Sequence, residues 1–194
     1  MRVAVPPPNR AEVARYARSR ANDPVVDSLT EECIAALPLR SEYTAVYRII
    51  PLSIDNDTVD MTFATVRSEK LARHLEGCDR VVLFAVTAGV EIDMYVNKCL
   101  RISPALAHTA SALGSERVEA IADSFCKALG EQLAKEGYIV TSRFSAGYGD
   151  LPLLFQRDIF NCLKPEKYIG LCLGASLLMS PSKSVTAIVG VKKK

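Results

Sequence analysis

One stretch constrains the fold more than any other. Residues 80–87 read Arg-Val-Val-Leu-Phe-Ala-Val-Thr, apolar without a break from Val81 to Val86. A strand with one wet face alternates polar and apolar side chains, whereas an unbroken run has lost that period and reads as a buried strand. Burying it takes a sizeable core. The 194 residues, with 49% hydrophobic and 24% charged content, are an ordinary globular composition and long enough to supply that core. The expectation is a single domain over residues 1–194, with N-terminal helices within 9–37 and the core within 43–191.

The elements around this strand follow from caps, breakers and period. Asn9 with Glu12 three residues on forms a capping box for a first helix striped by Val13, Tyr16 and Ala17. Asp23-Pro24 opens a second helix, carrying Val26, Leu29, Cys33 and Leu37 until Pro38 stops it. Residues 43–50 alternate as a strand, and 58–63 return after Asp55-Asn56-Asp57 as the other arm of a hairpin. A short helix over 68–75 closes at Gly77. Residues 89–137 have a helical period: Ser103-Pro104 opens one helix, and Gly114-Ser115 separates it from the next. The latter's face is Val118, Ala122, Phe125 and Leu129, and Gly137 ends it. A strand over 138–144, a loop over 145–151, a helix over 152–163 and strands over 169–173 and 185–191 complete the chain. The regular strand–helix–strand rhythm of a parallel sheet is missing. The expected class is therefore α+β, a mixed or antiparallel twisted sheet with packed helices.

Charge and cysteine usage exclude several functions. A net charge of +2 provides no basic field for nucleic acid, and Lys192, Lys193 and Lys194 read as a solvated tail. No apolar run reaches the roughly 20 residues that span a bilayer. The start, Met1-Arg-Val-Ala-Val-Pro-Pro-Pro, is too short in apolar residues and too rich in proline for a signal peptide. A cytoplasmic location is expected, with Cys33, Cys78, Cys99, Cys126, Cys162 and Cys172 kept as thiols. None of them forms Cys-x-x-Cys, and neither His74 nor His108 stands at ligand spacing to a cysteine, so no zinc site is expected.

The segment richest in chemistry is Ser142-Arg-Phe-Ser-Ala-Gly-Tyr-Gly-Asp-Leu-Pro-Leu153, between a strand and a helix. Gly147 and Gly149 let the backbone approach a ligand or take positive φ. Pro152 stands where a dinucleotide fingerprint would need its third glycine. Arg143 offers a permanent planar cation for a carboxylate or phosphate, and Tyr148 a hydroxyl on a rigid ring. The same residues also admit a plain turn, with Arg143 paired to Asp150 and Tyr148 capping the core.

Weaker features lie elsewhere. Ser180, Ser182, Lys183 and Ser184 around Pro181 form either an anion-holding turn or an ordinary polar turn before an edge strand. His74 has the His-x-x-Gly of a cobalamin-ligand motif, but Ala72 replaces the aspartate that would orient the imidazole. His108 lies among alanines and reads as a packed side chain. Ser145 lacks a Gly-x-Ser-x-Gly frame and a histidine to serve it, so hydrolysis is not expected.

The run Arg-Phe-Ser-Ala-Gly-Tyr-Gly-Asp-Leu-Pro-Leu-Leu-Phe-Gln156, with Ile169-Gly-Leu-Cys-Leu173 and Met179-Ser-Pro-Ser-Lys-Ser-Val-Thr186, resembles the activation domain of vitamin B12-dependent methionine synthase. It looks most like the stand-alone members of that family. Glu12-Val-Ala-Arg-Tyr16, Val86-Thr-Ala-Gly-Val-Glu91 and Val118-Glu-Ala-Ile-Ala122 stand in the expected order, so the resemblance spans nearly the whole chain. It implies an accessory role: binding S-adenosylmethionine, capping the corrinoid of a cobalamin-dependent methionine synthase in trans, and reactivating it by one-electron reduction and methylation. In that family an Arg-x-x-x-Gly-Tyr loop holds S-adenosylmethionine. The resemblance assigns Arg143 to the methionine carboxylate, backbone groups at Ser145 to the nucleoside, Gly147 to the loop and Tyr148 to the corrin side. No catalytic residue and no metal ligand is implied, and no turnover is expected from the chain alone. The chain departs from the family in having no tryptophan, and residues 9–23 offer no counterpart to its early aspartate, so the ligand's ammonium group has no assigned partner. Two alternatives stand beside this reading: a corrinoid-protein docking domain that binds no S-adenosylmethionine, and an independent small-molecule methyltransferase.

Overall fold

The computed structural model describes residues 1–20 and 23–194. The chain opens with β1 (Arg2–Ala4), α1 (Arg10–Tyr16) and α2 (Pro24–Ala36). Both helices start where their caps require. The Asn9 side chain accepts from the Ala11 and Glu12 amides, and Asp23 from those of Val25 and Val26. These amides have no carbonyl partner within the helix, so the caps satisfy them. The strand expected over 43–50 is divided at Ala45. β2 (Glu42–Thr44) pairs with β1, and β3 (Val46–Pro51) joins the main sheet.

The hairpin expected between 43–50 and 58–63 does not form. Asn56, at φ +55, instead turns β4 (Ser53–Asp55) into β5 (Thr58–Asp60), and β6 (Thr65–Arg67) completes a separate three-stranded antiparallel sheet. β3 takes its ladder from the apolar strand β7 (Arg80–Thr87), reached after α3 (Glu69–His74). The turn residues located the reversal, but the burial available against β7 decided the partner.

Beyond β7 come α4 (Val90–Leu100), α5 (Pro104–Lys135) and β8 (Tyr138–Phe144). α5 runs through Gly114-Ser115 without interruption, contrary to the expected break. A Cβ on Gly114 would lie 2.6 Å from Ile92 Cγ2 and 2.9 Å from Lys183 Cγ, so this glycine is a notch into which α4 packs. A 3-10 turn (Leu153–Phe155) then leads into α6 (Gln156–Leu163), α7 (Pro165–Ile169), β9 (Cys172–Leu173), β10 (Met179–Ser180) and β11 (Ser184–Lys193). The strand expected over 169–173 survives only as β9, because Pro165 starts α7 and Gly170, at φ +65, ends it.

β3, β7, β11 and β8 lie side by side in that order, antiparallel throughout. The sheet separates two cores. Val82, Phe84 and Val86 of β7, with Ala187, Val189 and Val191 of β11, face α1, α2, α4 and α5. Val81, Leu83 and Ala85, with Ile188, face α3, α6 and the three-stranded sheet. The unbroken apolar run of β7 thus reflects a strand covered on both sides. Phe84 is fully buried 4.6 Å from the Phe125 ring, and burying such a side chain contributes about 1.5–3 kcal/mol. β11 is a central strand, not the edge strand one reading of its preceding turn required. No described helix is long and apolar enough to cross a membrane.

Candidate ligand site

β8 delivers consecutive side chains to opposite faces. Phe144 enters the core beneath α6, while the Arg143 guanidinium reaches α5. The chain then turns tightly: the Tyr148 amide donates to the Ser145 carbonyl at 3.1 Å and the Gly147 amide to the Leu151 carbonyl at 3.0 Å. Gly147 at φ +86 and Gly149 at φ +65 make this turn possible. Asp150 does not pair with Arg143. Its carboxylate accepts from the Ser68 hydroxyl and, at 3.3 Å, from the Lys70 amide, so the loop is clamped to the first turn of α3. The Ser68 hydrogen bond, helped by these amides, holds the Asp150 carboxyl below its ordinary pKa.

One terminal nitrogen of Arg143, Nη2, donates to Glu119 at 2.8 Å and to Asp123 at 2.9 Å. Burial disfavours the cation, yet Glu119 and then Asp123 outweigh it and raise the guanidinium pKa above its ordinary value. Among the described residues Nε and Nη1 have no hydrogen-bond partner, so single N–H donors stay open, while both bidentate edges of the fork pass through Nη2, which the two carboxylates hold. Glu119 and Asp123 also line a groove of about 740 Å³ between α5 and the N-terminal segment, whose far wall includes Pro6, Pro7 and Tyr16. That wall is anchored beneath. Arg117 and Glu116, both buried, pair with each other; Arg117 Nη1 donates to the Pro6 carbonyl at 2.7 Å and Glu116 accepts from the Asn9 amide at 3.0 Å.

Of the four residues expected at the site, all share one loop but not one face. Ser145 fastens the loop to β11 through its hydroxyl, which donates to the Thr186 carbonyl at 3.0 Å, and its own carbonyl is taken by Tyr148. Tyr148 does not cap the core. It is 68% exposed and meets Phe144 edge-on at 5.3 Å, on the side of the sheet away from Glu119. Glu119 and Asp123 were missed, although two acids at i, i+4 on the helix with the strongest period were a usable signal. Residues 21 and 22, part of the 9–23 stretch that lacked the family's aspartate, lie outside the described residues.

The weaker candidates resolve differently. Lys183 turns inward and donates to Ser111 and Ser115 of α5 at 2.9 and 3.0 Å, its pKa lowered by burial against the opposing pull of Asp93. Ser182 is held by Asp93. His108 is exposed rather than packed, its Nε2 lying 3.0 Å from the Ala17 carbonyl. His74 Nε2 sits 2.9 Å from the Ser142 carbonyl. Cys33 and Cys99 are buried and Cys172 exposed. Among the described residues no group of three or more His, Cys, Asp or Glu is placed to hold a metal ion.

No family model and no curated protein sequence matches this chain. The fold does have matches, in thirteen chains of solved structures. An antiparallel sheet sandwiched between these two helical layers defines the class: the fold of a methionine synthase reactivation domain. The neighbour that places it there is the crystal structure of the MetH reactivation domain bound to AdoHcy. It superposes with a TM-score of 0.66 over 91% of this chain and 68% of that chain, at 18% sequence identity. At that identity the likeness is one of fold.

Proposed function

We propose that this protein binds S-adenosylmethionine between Arg143 and the acidic face of α5, and serves as the reactivation component of a cobalamin-dependent methionine synthase or related corrinoid protein. The observation that carries the reading is the juxtaposition at Arg143. A half-spent guanidinium stands beside two carboxylates at the rim of a 740 Å³ groove, a pattern suited to an α-amino acid zwitterion. The methionine carboxylate takes a free N–H donor of Arg143, and the ammonium takes Glu119 or Asp123, the partner that sequence reasoning left unassigned. A groove lined by acids also favours the sulfonium charge. The fold supports the reading: AdoHcy, bound by the neighbouring structure, is what S-adenosylmethionine becomes on losing its methyl group.

When bound, S-adenosylmethionine supplies an activated methyl group, and the partner's cobalt supplies the nucleophile. Such a transfer requires alignment and exclusion of water rather than a general base. Arg143 fixes the amino-acid end, the Ser145–Thr186 bond fixes the loop, and Tyr148 presents its exposed ring toward the corrinoid partner.

Calorimetry tests the ligand site: Arg143→Ala should weaken S-adenosylmethionine binding by about 1.5–3 kcal/mol, the worth of a charge-assisted contact. Equal affinities would remove the loop from the site. Mixing with a cobalamin-loaded methyltransferase should perturb the cob(II)alamin visible spectrum, and Tyr148→Ala should blunt the change. The docking-only alternative draws on Arg143 being already paired twice; it is favoured if the spectrum changes while no S-adenosylmethionine binds.

A further inference from the structure

Lys183 is a cation held by hydroxyls instead of carboxylates. It stands just before β11, partly buried, with its stem laid across Gly114 of α5. Its ammonium donates to the Ser111 hydroxyl at 2.9 Å and to that of Ser115 at 3.0 Å. Asp93 attracts it, but both Asp93 oxygens are taken by Ser182, from the amide at 2.7 Å and the hydroxyl at 2.5 Å. An ammonium has three N–H donors, and a partly buried one loses hydration that each missing acceptor fails to replace. Burial accordingly lowers the Lys183 pKa. The third donor has no partner among the described residues and is open to an incoming acceptor.

The two hydroxyls belong to a polar stripe that continues into the site at Arg143. Ser111, Ser115, Glu119 and Asp123 follow one another at i, i+4 spacing, which sets them along one face of α5. Lys183 closes on the first two and Arg143 on the last two. From one pair to the other the helix rises about 12 Å. On the sheet side, Val185 and Ala187 of β11 floor this interval, and the next residue on that face, Val189, pairs with Arg143. Ser145, its hydroxyl tied to the Thr186 carbonyl, borders it. An extended S-adenosylmethionine, from α-carboxylate to ribose with a hydrogen bond at each end, covers that distance. Its sulfonium then passes Glu119, and the uncharged ribose diol meets the second cation.

We propose that Lys183, aligned by Ser111 and Ser115, binds the ribose diol of S-adenosylmethionine, while the methionine end stays in the groove at Glu119 and Asp123. This rests on the reading given for Arg143. Calorimetry with the full chain tests it by comparing S-adenosylmethionine with its 2′,3′-dideoxy analogue. The wild type should bind the analogue at least about tenfold more weakly. Lys183→Met should lose about tenfold for S-adenosylmethionine and then hold both ligands equally, a coupling that a merely structural lysine would not produce. Ser115→Ala, a milder change, should narrow the same preference. Arg143→Ala should weaken both ligands alike, because it acts at the other end. Circular dichroism verifies the fold of each variant. Equal affinity of the wild type for the two ligands, or an undiminished preference in Lys183→Met, would overturn the role of Lys183 and leave the Arg143 site standing. A wild type that binds neither ligand would overturn the Arg143 reading, and this inference with it.

Discussion

Arg143 on β8 and Arg117 on α5 illustrate two uses of one residue type. Arg143 is a quarter exposed and keeps part of its fork uncommitted, while Arg117 is 1% exposed and fully engaged by Glu116 and Pro6. Removing half of a buried pair strands the other charge, so Arg117→Ala should lower unfolding free energy by about 3–5 kcal/mol in urea titrations. The double variant Glu116→Leu, Arg117→Met, which strands no charge and frees only the Asn9 amide and the Pro6 carbonyl, should lose clearly less. At the other arginine, Glu119→Gln removes one of the two carboxylates offered to the ammonium. S-adenosylmethionine affinity should fall by about 1.5–3 kcal/mol in calorimetry with the unfolding midpoint little changed, because Glu119 is partly exposed.

At the scale of elements, α5 depends on a notch and the ligand loop on a clamp. Alanine is a better helix former than glycine by about 1 kcal/mol, so propensity alone predicts that Gly114→Ala stabilises. The added methyl would meet the stiff, branched Ile92 at 2.6 Å, and overpacking of this kind costs about 1–3 kcal/mol. The packing term should win, with a lower urea midpoint as the readout. The clamp predicts a pH dependence. Asp150 titrates lower in the folded chain than in the unfolded one, so its contribution is present above the unfolded value of about 3.9 and lost as pH falls through the folded value. Asp150→Asn should therefore be less stable than wild type near pH 6, with the gap closing as pH falls below the unfolded value and through the lower folded one.

For the whole molecule, the groove proposed for the ligand lies between α5 and the N-terminal segment, its α5 wall carrying the Glu119 and Asp123 that Arg143 contacts, so occupancy should stabilise the fold globally. S-adenosylmethionine at a hundredfold excess over its Kd should add about 2.7 kcal/mol, seen as a rise in the thermal midpoint that Arg143→Ala cuts to about half or less at the same ligand concentration. A midpoint unmoved by ligand in the wild type would argue against occupancy of a preformed groove.

What the sequence determined by itself was local. Asn9, Asp23 and Ser103 cap helices because a side-chain oxygen satisfies amides a few residues away, and all three caps form. Val81 to Val86 marked a buried strand because the absence of polar alternation is written in the chain itself. The sharp loop at Gly147 and Gly149 was legible for the same reason, since positive φ is a property of the residue. Tertiary structure decided the rest, where the deciding partner was distant. β3 chose β7 over the nearby 58–63 segment, Gly114 became a notch because Ile92 packs into it, and Asp150 left Arg143 for Ser68. The side of the sheet on which Arg143 would meet its carboxylates was settled when β8 was laid against β11 beneath α5. Pairing register sends alternate side chains to opposite faces, and no local signal specifies which partner a strand will find.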